Sequence, residues 1–204
     1  MQQIKRMFML VLTIGFIFGF QSCKKDGEIQ LTKTDYLTIQ EGWTLESTDG
    51  NVDVITDALI ALYFQILPPE MQTPEIEAEL RSEFDLESLI ELDECDKDNI
   101  TIFKTNGDVI DDQGIIICEG ASTTVDNTWA FGANETQLLI TDKQDGETQT
   151  FTIKTLNESR LSIELRMSIA EEFDAQDLGE LEGLVGYDNF ITQDIVLTLT
   201  FKAN

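Results

Sequence analysis

Three cysteines, two tryptophans and a dense set of carboxylates are the residues of this chain that could carry chemistry. There is no histidine. That absence removes Ser-His-Asp and Cys-His catalysis, histidine metal sites and a histidine pH switch. Paired carboxylates can hydrolyse glycosides, but 39 acids over 204 residues single out no pair by spacing. Asp93, Glu94, Asp96 and Asp98 cluster tightly without the order or the glycine of an EF-hand loop. They read as a solvated loop rather than a calcium site. The acids at 171–182 show no metal spacing, and no Gly-rich phosphate loop is present. The residues therefore predict no catalytic constellation, no metal and no cofactor, and a chain that is not an enzyme. The 39 acids face 13 bases, a formal net charge of −26. Such a chain repels nucleic-acid phosphate and anionic lipid surfaces, so nucleic acid is not an expected partner.

Cys23 has the most informative context. Residues 1–22 carry Lys5 and Arg6, then an apolar run over 7–20, then Ser22. A basic start, a short apolar stretch and a small residue before the break fit a secretory signal peptide. The run is shorter than the about 20 residues a spanning helix needs. Phe20-Gln21-Ser22-Cys23 resembles a relaxed form of the lipobox of bacterial lipoproteins, departing from the strict pattern at Phe20 and Gln21. The resemblance implies that residues 1–22 are removed and that the Cys23 thiol is acylated. The chain would then sit in the bacterial cell envelope, lipid-anchored, at the outer membrane, with the membrane face left open. The other reading is an ordinary signal peptide ending in a chance cysteine.

With Cys23 assigned to lipid, Cys95 and Cys118 remain as a pair in an oxidising setting. A bridge between them closes a loop of about 24 residues and adds roughly 3 kcal/mol on the loop-entropy model. Two buried free thiols are the alternative.

The elements that would hold these residues follow from periodicity. Residues 23–33 are polar and read as a tether, and 34–204 read as one domain. Thr34 or Asp35 could cap a helical turn through Gln40, ended by Gly42. Trp43, Leu45 and Ser47 alternate with Thr44, Glu46 and Thr48, as in a half-buried strand. Residues 51–93 switch to helical spacing, through Ile55, Leu59, Leu62, Tyr63 and Ile66. Pro68 and Pro69 stop that helix, and Thr73-Pro74-Glu75 opens a second. This is a helical hairpin inserted between strands. From 99 onward the text is strand and turn: 100–104, 108–111 after an Asn106-Gly107 turn, 127–131, 137–142, 148–155, 160–167 and 194–202. Residues 115–118 could extend or follow the 108–111 strand. A second, acidic insertion covers 168–190. About eight strands joined mostly by short turns predict an all-β, antiparallel up-and-down barrel.

The run Gly42-Trp43-Thr44-Leu45, the sequence Cys95-Asp96-Lys97-Asp98-Asn99 leading into 100–107, Thr128-Trp129-Ala130-Phe131, Gln137-Leu138-Leu139-Ile140 and 151–156 occur in an order that resembles the bacterial lipocalin-like lipoprotein domains. The likeness runs from about 41 to 167, with 194–202 as a last strand. It departs at Asn127, where the family usually has glycine, and in the length of the 51–93 insertion. The resemblance implies a small barrel and binding of a small apolar ligand. Trp43, Trp129, Phe151, Ile153, Leu161, Ile163 and Leu165 are the candidate lining residues. The same tryptophans could instead plug a barrel filled by its own side chains, leaving an envelope structural or protein-interaction module.

Overall fold

The computed structural model describes residues 31–39, 41–84, 86, 90–92, 94–117, 127–173 and 178–204. Residues 1–22, Cys23, most of the tether, Asp93 and Cys118 lie outside the described residues.

The first element among the described residues is α1 (Lys33–Leu37). Its cap is Thr32, earlier than the expected Thr34 or Asp35. The Thr32 hydroxyl accepts from the Asp35 amide, and the Asp35 carboxylate reaches back to the Thr32 amide at 2.7 Å. Asp35 is thus the third helical residue of a capping box, which is why it stands where a cap was expected. Next come β1 (Trp43–Gly50) and two helices, α2 (Val52–Ile66) and α3 (Pro74–Phe84). The strands β2 (Ile100–Phe103), β3 (Asp108–Asp112), β4 (Asn127–Phe131), β5 (Gln137–Asp142), β6 (Thr148–Leu156) and β7 (Arg160–Ser168) follow. After them come α4 (Ile169–Glu172), α5 (Tyr187–Phe190) and β8 (Asp194–Ala203).

The eight strands pair antiparallel in sequence order, and β8 pairs back to β1, closing the barrel. This is the all-β up-and-down architecture that the strand count predicts. The turns follow local chemistry. Gly107 has φ +91°, which the Asn106-Gly107 hairpin requires, and the Lys104 amide donates to the Asp108 carbonyl at 2.8 Å. Asn157 closes the β6–β7 turn by accepting from the amides of Ser159 and Arg160, each at 3.0 Å. Gly42, at φ +78°, sits so close to β2 that a Cβ there would lie 2.6 Å from Ile100 Cγ2.

Two bulges reset the alternation. In β1 the register slips between Leu45 and Ser47, so Ser47 pairs with Thr200 and Thr48 with Leu199. Leu199 packs with the barrel core, so Thr48 takes the inner face that simple alternation gives to Ser47. In β6 the slip falls between Ile153 and Thr155, and Leu156 then pairs with the buried Leu161. Residues 115–117 form no strand. β3 ends at Asp112, and Ile115 is 94% exposed.

The apolar side chains form two cores. One fills the barrel and includes Leu37, Trp43, Phe103, Val109, Leu138, Phe151, Leu161 and Ile163. The other lies where α2 meets the start of β8 and joins Val52, Ile55, Leu59 and Leu62 to Ile169, Leu178, Leu181, Phe190, Ile195 and Leu197. The acidic 168–190 insertion supplies four of those core residues. α3 buries none of its own residues. It lies against α2 through Tyr63 and Phe84, ring centroids 5.1 Å apart, and through Arg81, which pairs with Asp57 and, at 3.0 Å, with Glu77. No helix among the described residues is long and apolar enough to cross a membrane.

Candidate functional site

The inner face of the barrel carries both apolar and polar side chains. The inner face can be read from the register, because antiparallel partners share a face. Trp43 pairs with Thr101 and Thr101 with Asp111; Phe103 pairs with Val109, and Val109 with Asn127. Asn127 pairs with Asp142, Trp129 with Ile140, Ile140 with Gln149, and Leu138 with Phe151. The inner positions therefore include Phe131, Trp129, Leu138, Phe151, Ile153, Ile163 and Leu161 together with the polar Thr101, Asp111, Asn127, Asp142 and Gln149.

The structure brings all seven candidate lining residues together. Trp43, Phe151, Leu161 and Ile163 are buried, and Trp129, Ile153 and Leu165 pack against them. α1 closes one end: Leu37 is buried in the same core, and its carbonyl accepts from the Trp43 indole at 2.9 Å. Trp129 donates to the Lys104 carbonyl at 2.8 Å and meets Phe103 and Phe131 edge-on, at centroid distances of 6.1 and 5.4 Å. Both indole donors are satisfied by backbone carbonyls.

A cavity of about 320 Å³ is lined by Asn127, Ile140, Asp142, Asp145, Glu147 and Gln149. Asn127, Ile140, Asp142 and Gln149 are inner-face positions of β4, β5 and β6, while Asp145 and Glu147 come from the β5–β6 turn. The turn is held by its own acids. Asp142 accepts from the Gln144 amide at 2.6 Å and Asp145 from the Glu147 amide at 2.8 Å. Asn127 Oδ1 is shielded from solvent and accepts no hydrogen bond. Asp111 also faces inward and accepts from the Thr101 hydroxyl at 2.9 Å. Burial pushes its carboxyl above the ordinary range, against the opposing pull of that hydrogen bond.

The polar lining was missed by reading alternation for apolar residues alone. The signal was nonetheless in the text: Asn127 stands two places before Trp129, Gln149 two before Phe151 and Asp142 two after Ile140, all at inner-face parity. The acidic cluster at 93–98 is used locally. Glu94 pairs with Lys97 at 2.8 Å, and Asp98 accepts from the amides of Ile115 and Ile116 at 2.8 and 3.0 Å. Among the described residues no group of three acids or cysteines is placed to hold a metal ion. Cys95 is buried; its expected partner, Cys118, and the expected lipid site, Cys23, fall outside the described residues.

No family model, no curated protein and no solved structure matches this chain.

Proposed function

We propose that this chain is a lipid-anchored lipoprotein of the bacterial cell envelope, related to the lipocalin-like domains, whose barrel is a non-enzymatic binding module. The observation that carries the reading is a closed eight-stranded barrel with an inner cavity left at one end. A small barrel of this strand number holds either one small ligand or its own side chains. Here it does some of each. Apolar inner residues are packed, with Trp43 and Leu161 both 0% exposed, and a cavity remains beside Asn127, Asp142 and Gln149.

That division bears on the ligand. An apolar molecule in the lumen would have to displace Trp43, Phe151, Leu161 or Ile163, side chains packed against each other. The packing favours the second reading, a filled barrel serving as scaffold, for the apolar lumen, and leaves small-molecule binding to the polar cavity. Titration with fatty acids, sterols and hydrophobic dyes, followed by tryptophan fluorescence, tests this directly. The expected result is no saturable response. A saturable one would return the apolar lumen to the leading position.

The anchor and the bridge belong to the same proposal. Cys23→Ala should abolish acylation and release the protein from the membrane fraction; retention there with unchanged mass would remove the lipoprotein reading. Protease shaving of intact cells distinguishes the surface from the periplasmic face of the outer membrane. Non-reducing peptide mapping should recover Cys95 joined to Cys118. Two free thiols in exported protein would refute the bridge.

A further inference from the structure

We propose that Asn106 is a deamidation site that the β2–β3 hairpin holds shut, and that its conversion to aspartate or isoaspartate releases a clamp on Trp129. Asn106-Gly107 is the one Asn-Gly step in the chain. Glycine has no Cβ to crowd its nitrogen, so in an open chain this asparagine cyclises more readily than the others. The Gly107 nitrogen attacks Asn106 Cγ. A C–N bond forms, the Cγ–Nδ2 bond breaks, and ammonia leaves with the proton that Gly107 gave up. Water then opens the cyclic imide at either carbonyl. One opening gives aspartate; the other gives isoaspartate, with an extra methylene in the main chain. Asparagine and water become aspartate and ammonia, and the step needs no other reactant.

The folded turn ties up the groups that this step uses. The Gly107 amide donates to the Lys104 carbonyl at 3.0 Å. Loss of that proton would leave the nitrogen lone pair directed at a carbonyl oxygen rather than at Asn106 Cγ. The leaving nitrogen, Asn106 Nδ2, donates to Asp108 Oδ2 at 2.8 Å, and Lys143 holds the other oxygen of that carboxylate at 3.0 Å. Asn106 Oδ1 accepts from the Asp108 amide at 3.2 Å, which fixes the side chain in this pose. Asn106 is exposed, so water reaches it freely. The restraint is conformational.

The same turn holds part of the barrel core. The Lys104 carbonyl accepts twice, from the Gly107 amide and from the Trp129 indole at 2.8 Å. The Gly107 carbonyl accepts from the Trp129 amide at 2.7 Å. Trp129 meets Phe103, the last residue of β2, edge-on at 6.1 Å. Freeing the Gly107 nitrogen therefore disturbs the carbonyl that anchors the indole, and the packing of Trp129 opposes it. The product cannot rebuild the turn. A carboxylate at 106 sets negative charge against Asp108 Oδ2 where an amide donor stood. The isoaspartate linkage lengthens a loop that the Lys104 amide closes on the Asp108 carbonyl at 2.8 Å. The modification is slow while the hairpin is closed, and once made it keeps the hairpin loose.

The experiment is a time course of Asn106 deamidation at neutral pH, followed by peptide mapping and mass spectrometry, on the folded protein and on the protein in urea. The folded protein should react at least about tenfold more slowly, the protection given by a local opening that costs about 1.4 kcal/mol. Two variants test the restraint. Trp129→Phe keeps a ring in the core and removes the indole donor. Asp108→Ala frees the leaving amide and alters only the turn, so it serves if Trp129→Phe fails to fold by circular dichroism. Each should narrow the gap between its own folded and urea rates. Equal rates in folded and unfolded parent would overturn the proposal, and so would a gap that Asp108→Ala leaves intact. A folded Trp129→Phe protein with the parent's gap would remove the clamp. Deamidated protein, separated by its added negative charge, should show red-shifted tryptophan emission and a lower thermal midpoint. Emission and midpoint identical to the parent would overturn the release of Trp129.

Discussion

Two carboxylates show how the same side-chain chemistry is bent in opposite directions by the two faces of one sheet. Asp111 points into the barrel, and burial raises its pKa. Glu164 points outward and is 8% exposed, yet hydrogen bonds from Lys154, at 2.8 Å, and from Arg166, at 2.9 Å, hold its pKa below the usual carboxylate range in spite of that burial. The signs of their contributions to stability follow. Asp111 in its charged form costs stability above its raised folded pKa, and that cost disappears as pH falls from there to the ordinary aspartate value. Glu164 contributes stability above the ordinary glutamate value and loses it as pH falls through its lowered folded pKa. Asp111→Asn should therefore flatten the gain on mild acidification, and Glu164→Gln should flatten the loss at lower pH. Urea unfolding of both variants and the parent across pH 3 to 7 would measure each difference, with the bulk relief of negative charge common to all three. Neither shift was legible in the sequence. Both acids lie in strands of alternating character, and only the register says which face each takes and which bases come within reach.

Elements were legible where periodicity is strong and blurred where geometry intervenes. α2 announced itself through Ile55, Leu59 and Leu62 at helical spacing, all three buried. β7 announced itself through Leu161, Ile163 and Leu165. β1 did not, because a bulge inserts one residue, and alternation counted across it places Ser47 inside when the inner position belongs to Thr48. The isoleucines at 115–117 have the composition of a strand but no partner strand among the described residues, and composition alone cannot supply one. A second constraint falls at Gly42, just before β1. Its left-handed backbone and the 2.6 Å approach to Ile100 leave no space for a methyl group. Gly42→Ala should destabilise by more than the about 1 kcal/mol of an ordinary glycine exchange, read as a fall in thermal midpoint. In the barrel core, Ile163→Trp should cost about 1–3 kcal/mol by overpacking. A neutral outcome there would mean that the apolar core has room, and would favour the apolar-ligand reading after all.

At the scale of the whole molecule, the question is whether the helical layer and the barrel are one cooperative unit. Their cores are distinct sets of residues, but β7 and β8 run through both. Ile195 and Leu197 belong to the helical core, while Leu199 and Phe201, further along the same strand, pack against the barrel core. Leu165 touches both. A strand of β8 that loses the helices at its start loses the packing that holds its register at Leu165 and Leu197, so separation of the two layers would strip one wall of the barrel. This continuity predicts joint unfolding. It can be observed cleanly because the two tryptophans, Trp43 and Trp129, both lie in the barrel core, leaving the helical core without an indole. Leu59→Ala removes a fully enclosed side chain from the helical core and should cost about 2–5 kcal/mol. In a single cooperative unit that loss appears in full in tryptophan fluorescence, although Leu59 belongs to the other core, and the fluorescence and far-UV circular dichroism transitions coincide. Leu161→Ala, in the barrel core, should produce a shift of similar size in both signals. A Leu59→Ala protein whose circular dichroism moves while its fluorescence midpoint stays put would show that the helices detach alone, leaving the barrel closed by its own eight strands.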